Sequence, residues 1–201
     1  LGLAAVVFFI FPLQSFAGAW VQQPDEWLYV TTQSGYVSHS YFDAKGKSVK
    51  QPSFQKAESN HYVEYGLDPS LTGGANLFFH YLQQEVITTT SSSALSNAGL
   101  ADTELFLKHR LLDQSGYTMS VEPLIKLPSL YASNHLPKAG SDGYDMEVSL
   151  LGGYGFDFDG EHHFIDTRIG YRHRLDPALN DQWKLDAKLG YSLSPQWQIV
   201  P

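Results

Sequence analysis

The chain has 201 residues, a formal net charge of −8 and no cysteine, which excludes a disulfide framework or thiolate metal site and argues against a nucleic-acid partner. Charged residues make up 17%, below the roughly 25% of soluble domains, while aromatics reach 14% and glycines number 17. A mean hydropathy of −0.22 excludes a bundle of membrane helices, each of which needs about 20 apolar residues.

Leu1 to Leu13 are apolar apart from Gly2 and Pro12, and no charge occurs before Asp25. This run is too short to cross a bilayer as a helix but matches the apolar core of an export signal lacking its charged start. Small residues follow in Ser15-Phe16-Ala17-Gly18-Ala19, offering cleavage after Ala17 or after Ala19. Leu1–Ala19 is therefore expected to be a signal-peptide remnant, and Trp20–Pro201 a single exported domain of bacterial habit. The alternative is a buried helix or first core strand.

Beyond Trp20 the period is two, the spacing that sends successive side chains to opposite faces of a strand. Strands are predicted near Trp27–Tyr41, Lys56–Leu67, Leu71–Ile87, Asp102–Leu112, Tyr117–Leu127, Tyr144–Phe156, His162–Arg174 and Trp183–Leu193, with a ninth starting at Trp197. Alternation is clearest late in the chain. Trp183, Leu185, Ala187, Leu189, Tyr191 and Leu193 oppose Lys184, Asp186, Lys188, Gly190 and Ser192. Long segments (Phe42–Gln55, Thr88–Ala101, Pro128–Gly143, and a medium Leu175–Gln182) alternate with tight turns at Asp68-Pro69-Ser70, Asp113-Gln114-Ser115-Gly116, Asp157-Phe158-Asp159-Gly160 and Ser194-Pro195.

Alternation alone also fits a soluble lipocalin-like barrel or a sandwich. Three features favour a membrane barrel: the strands are long, the loop lengths are asymmetric, and aromatics (Tyr65, Tyr117, Phe156, Tyr191, Trp197) sit where strands meet tight turns. The expected fold is all-β: an antiparallel up-and-down transmembrane β-barrel, with about eight strands and the start of a ninth, and with its tight turns on the periplasmic side. The interrupted ninth strand suggests a fragment of a barrel of ten to twelve strands. Pro123 falls inside a strand, where it must remove one ladder hydrogen bond.

Several stretches resemble outer-membrane transporters akin to the phenol meta-pathway degradation family. They are Asn60-His61-Tyr62-Val63-Glu64-Tyr65-Gly66-Leu67 with Leu71-Thr72-Gly73-Gly74-Ala75-Asn76, Asp102 to Arg110, and Glu122-Pro123-Leu124-Ile125-Lys126-Leu127-Pro128. Gly170-Tyr171-Arg172-His173-Arg174 through Trp183 is similar to relatives linked to surface polysaccharide. The resemblance implies transport across the outer membrane, with aromatic compounds or exopolysaccharide as associated chemistry. It also implies further C-terminal strands and makes Pro123 a shared pattern.

The predicted polar face carries Glu64, Glu104, Lys108, Arg110, Glu122, Lys126, Glu147, Asp166, Arg168, Arg172, Arg174, Lys184, Asp186 and Lys188. With the apolar face toward lipid, these are candidate lumen-facing residues. Arg168 and Arg172 are expected to meet Asp186 on the next strand, a pairing worth roughly 0.2–1 kcal/mol. Mixed signs favour a cross-linked, stiffened lumen over a single-sign constriction that selects a solute. Gly66, Gly170 and Gly190 are expected to ease curvature or close packing on this face.

No cofactor or metal is expected. His162 and His163 are adjacent and so point to opposite faces, and Asp157-Phe158-Asp159-Gly160 lacks the later ligands of a calcium loop. Ser, His and Asp show no spacing that fixes a catalytic triad. The leading expectation is a non-enzymatic outer-membrane passive transporter or channel for small solutes, with membrane lipid as its surroundings. The alternatives are a structural or surface protein supporting biofilm or polysaccharide export, an outer-membrane hydrolase, and a soluble periplasmic binder.

Overall fold

The computed structural model describes residues 18–87, 92–128, 136–141, 143–194 and 197–200. Of the expected export segment Leu1–Ala19, residues 1–17 lie outside the described residues. The strands are β1 (Trp27–Phe42), β2 (Ser48–Asp68), β3 (Leu71–Ile87), β4 (Ser92–Gln114), β5 (Tyr117–Leu127), β6 (Asp145–Phe158), β7 (Glu161–Arg174), β8 (Gln182–Ser194) and the short β9 (Trp197–Ile199). Each pairs antiparallel with its sequence neighbour, so strand order equals chain order. Among the described residues there is no helix and no ladder from β1 to β9. The fold is therefore all-β and up-and-down, a sheet curled into a half-barrel.

At the tight-turn end the strand boundaries agree with the sequence pattern. Ser115 and Gly116 have φ of 51° and 83°, and Asp159 and Gly160 have 53° and 79°. Those positive pairs are what a two-residue type I′ hairpin demands, and its twist matches that of the flanking strands. Asp68 closes the β2–β3 turn by accepting the Ser70 amide at 2.6 Å.

At the other end the expected loops are corrected. β2 begins at Ser48 rather than Lys56, and β4 at Ser92 rather than Asp102. Phe42–Gln55 and the described part of Thr88–Ala101 are mostly strand, paired as in Tyr41↔Val49 and Glu85↔Ala94. Only residues 43–47 connect β1 to β2, in a turn where the Asp43 carboxylate accepts the Lys45 and Lys47 amides. These extensions mix apolar and polar residues on both faces (Val49 and Phe54 with Lys50-Gln51, Leu95 and Leu100 with Ser96-Asn97), so they lack the period-two signal. The connection from β7 to β8 lies between strands as expected, while residues 129–135 and 142 of the expected Pro128–Gly143 loop lie outside the described residues.

Pro123 lies in an interior strand. The β5–β6 ladder runs through Pro123↔Val148. The β4–β5 ladder lapses opposite Leu107 and Lys108, resuming at His109↔Val121 in the same register. The ladder thus loses two adjacent pairs beside the missing amide without shifting the strands.

Burial along the strands is the reverse of a soluble sandwich. Leu105, Leu107, Val148, Leu150, Ile165, Ile169 and Leu185 are exposed, the last at 81%. The opposite face buries Glu64 and Lys108 at 0% and Glu147 at 1%. In water this would be a costly arrangement, with apolar area exposed and charge desolvated.

Candidate functional site

The buried polar face is the concave one, and its contacts reveal the curl. Arg172 on β7 donates through Nη2 to Glu104 on β4 at 2.6 Å. On a flat sheet with strands about 4.8 Å apart, β4 and β7 would be separated by about 14 Å, so only a strongly bent sheet can close that contact. Arg172 Nε also donates to Glu147 at 2.6 Å. Glu147 further receives Arg168 at 2.9 Å and Lys184 at 2.8 Å. Arg168 reaches Glu122 on β5 at 2.7 Å and donates to Ser149.

The network continues toward the long-loop end, where Lys126 joins Asp145 at 3.0 Å and Asp102 at 3.3 Å. Ser141, in the β5–β6 connection, donates its amide and hydroxyl to Asp102 and accepts from Lys126. On the other flank Asn60, Asn76 and Glu104 form a hydrogen-bonded row across β2, β3 and β4. Nearer the tight turns Lys108 pairs with Glu64, both side chains fully buried, and the Tyr62 hydroxyl donates to the same carboxylate. Buried charge survives only when paired and hydrogen-bonded in this way.

A second feature has no sequence precedent. The segment before β1 crosses the concave face as a strap. Gln22 donates its amide to Thr72 on β3 at 2.8 Å and its side chain to Glu64 on β2 at 2.7 Å. Lys108 on β4 donates to the Trp20 carbonyl at 3.3 Å. Ser120 on β5 donates to the Ala19 carbonyl, and the Ala19 amide donates to Asp166 on β7 at 3.1 Å. Gly66 permits the crossing, because a Cβ there would overlap the Gln23 carbonyl. Likewise a Cβ on Gly190 would overlap the inward Phe164 ring, against whose edge Trp20 packs.

The predicted polar-face residues therefore divide. Glu64, Glu104, Lys108, Glu122, Lys126, Glu147, Arg168, Arg172 and Lys184 join the concave network, and Asp166 holds the strap. Arg110 does not. Beside a register shift at Arg110/Leu112, it pairs with Asp113 near the turn at 2.7 Å. The expected pairing of Arg168 and Arg172 with Asp186 is corrected. Arg168 lies opposite Asp186 in register, yet both guanidinium groups turn to carboxylates on earlier strands. Curvature concentrates buried carboxylates there, whereas Asp186 and Lys188 lie exposed on β8, outside any ion pair among the described residues. Arg174 is half-buried at the end of β7.

Sequence reasoning missed Asp102, Asp145, Ser141, Asn60, Asn76, Tyr62 and Gln22. The alternation at Asn60, Tyr62 and Asn76 places them in register with Glu64 and could have found them. Asp102 and Asp145 stand two residues before Glu104 and Glu147 in predicted strands and could have been found in the same way, whereas Ser141 and Gln22 sit in stretches without alternation and gave no signal.

The convex face carries a continuous row of rings at the tight-turn rim. Tyr117 stacks on Tyr154 at 4.3 Å, Tyr154 lies 5.7 Å from Phe156, Phe156 5.5 Å from His163, and His163 stacks on Tyr191 at 4.7 Å. His163 accepts the Ser192 amide at Nδ1, which leaves Nε2–H to donate to the Phe158 carbonyl. His162 pairs separately with Asp157. Toward the other end Tyr171 and Trp183 sit 5.1 Å apart. From Trp183 to Tyr191 the strand runs about 26 Å at about 3.3 Å per residue, roughly 20 Å in height if tilted by about 40°.

In the β7–β8 connection Asp181 accepts the Tyr171 hydroxyl at 2.6 Å, the Arg174 amide at 3.0 Å and His173 Nδ1 at 3.0 Å. Those donors, the tyrosine foremost, hold its carboxyl down at about 2.

No family model matches this chain, and no curated protein matches it.

Proposed function

We propose that the protein is an outer-membrane β-barrel whose polar concave face forms the wall of a passive route for small solutes. The inversion of burial carries this reading. An exposed apolar face is stable against lipid tails, and a charged, fully hydrogen-bonded face suits a barrel interior. The ring of aromatics from Tyr117 to Tyr191 suits a headgroup boundary. Tyr171 and Trp183 mark a second boundary, close to the roughly 25 Å apolar band of such barrels. The interior is rich in both charges and hydrogen-bonding groups, which favours small polar solutes. The sequence resemblance adds aromatic compounds and exopolysaccharide as cargoes to assay.

Reconstitution of the full-length protein in planar bilayers tests the transport reading. Discrete conductance or solute flux is expected, and a silent, correctly inserted protein would contradict it.

A second reading is a non-enzymatic structural or surface barrel. It is favoured by the strap from Gly18 to Gln23 and the buried Glu64–Lys108 pair, which together occupy the concave face. Silence in the bilayer that persists after the strap is removed would select it.

A further inference from the structure

The export-signal pattern leaves two scissile bonds, after Ala17 and after Ala19, both preceded by the small residues a signal peptidase needs. We infer that the cut falls between Ala17 and Gly18, and that the resulting Gly18 ammonium docks on Asp166 inside the concave face. The inference rests on the exported-barrel reading and adds to it a processing site and an anchor for the mature N-terminus.

The argument starts from residue 18. A Cβ on Gly18 would overlap the Asp166 carboxylate, so the Gly18 backbone lies directly against that group and no side chain fits there. Asp166 is 5% exposed and already accepts the Ala19 amide at 3.1 Å. Hydrolysis of the Ala17–Gly18 amide adds one water across the bond. Ala17 departs with the new carboxylate, and Gly18 keeps the nitrogen as an α-amine, protonated at neutral pH. A cation is thereby created beside a buried anion, and charge-assisted hydrogen bonds of this type are among the stronger ones. The signal is released without disturbing any described contact of the strap.

Cleavage after Ala19 has the opposite consequence. It removes the Ala19 amide that Asp166 accepts from and the Ala19 carbonyl that Ser120 donates to. Both partners are buried, Ser120 at 0%, and stripping a buried polar group of its partner is costly. The strap that remains, from Trp20 to Gln23, would lose both of these hydrogen bonds to β5 and β7 and keep the Trp20 ring against Phe164 on β7.

The test is the N-terminus of the natural full-length protein, isolated from its host's outer membrane and read by mass spectrometry. A chain beginning at Gly18 is expected. One beginning at Trp20 in the same membrane fraction overturns the processing site while leaving the barrel reading standing. Protein that stays in the cytoplasm with its signal attached defeats the export reading, and the inference with it. The anchor is tested by acylating the folded protein with an amine-reactive reagent. The Gly18 α-amine should react about tenfold to a hundredfold more slowly than in Asp166→Asn, the range expected for one hydrogen bond to a charged group. Gly18→Ala, which keeps a small residue at the cut but crowds Asp166, should show the same loss of protection if Asp166→Asn does not fold. Equal labelling of wild type and variant overturns the anchor.

Discussion

At the scale of single residues, the concave face is held by exchanged charges. Glu64 and Lys108 are both fully buried, so removing one partner leaves an uncompensated charge, while removing both does not. Lys108→Met is therefore expected to destabilise the protein by about 3–5 kcal/mol, and the double variant Glu64→Gln/Lys108→Met by clearly less. Urea titration of the refolded protein in detergent micelles measures both, and equal costs would show that leaving the Glu64 carboxylate without its partner is not what destabilises. Arg172 is the residue with the widest reach, joining Glu104, Asp145 and Glu147 on two other strands.

Asp181 offers a pH handle outside the strands. Its folded-state carboxyl sits at about 2, below its ordinary value, so the ionised form is the one the loop stabilises. That contribution is complete above the ordinary carboxylate range and disappears as pH falls through about 2. NMR titration should show the Tyr171 hydroxyl contact intact at pH 3, and Asp181→Asn should remove this pH dependence. Loss of the contact already near pH 4 would contradict the assignment.

At the scale of elements, the strand faces were legible and the strand ends were not. Wherever one face is apolar and the other charged, as from Trp183 to Leu193, the period of two located the strand to within a residue or two and assigned its faces. The extensions Ser48–Gln55 and Ser92–Ala101 read as loops in the sequence because each of their faces mixes apolar and polar residues, and alternation carries no information when neither face is consistently apolar. The faces of the network were legible, but its pairings were not. Register puts Arg168 opposite Asp186, whereas curvature, which no local pattern encodes, delivers it to Glu122 and Glu147. The strap was invisible for a similar reason, since its hydrogen bonds join residues far apart in sequence, Ala19 with Asp166 among them.

The strand faces also yield a substitution test. Ile169 stands midway up the convex face, flanked in register by Leu150 and Leu185. In a bilayer Ile169→Arg should cost about 2–4 kcal/mol, measured by unfolding from lipid vesicles. A change within about 0.5 kcal/mol, the usual effect of a surface substitution in water, would mean that this face meets solvent. The strap gives a second element-scale prediction. Deleting residues 20–23 should raise single-channel conductance in planar bilayers, and an unchanged conductance would show that the strap does not narrow the route.

At the scale of the whole molecule, the defining property is an inside-out distribution of polarity on a curled antiparallel sheet. The charge deficit, the wealth of aromatics and the long strands all follow from it. Charges are confined to the concave face, rims and connections. Rings gather at the tight-turn rim, and the convex band between the rims on β4 to β8 is mostly Leu, Ile, Val and Met, whereas β1 and β2 place Thr31, Gln33, Ser59 and His61 on that face. The lack of cysteine makes the most direct measurement clean. Single cysteines placed in turn at positions 165 to 172 of β7, spin-labelled and reconstituted in lipid vesicles, report collision with oxygen, which concentrates in lipid, and with a water-soluble nickel chelate. An inserted barrel gives a period of two, with oxygen access high at 165, 167, 169 and 171 and low at 166, 168, 170 and 172. Nickel access that peaks at 165, 167, 169 and 171 instead would place the apolar face in water and contradict the membrane barrel.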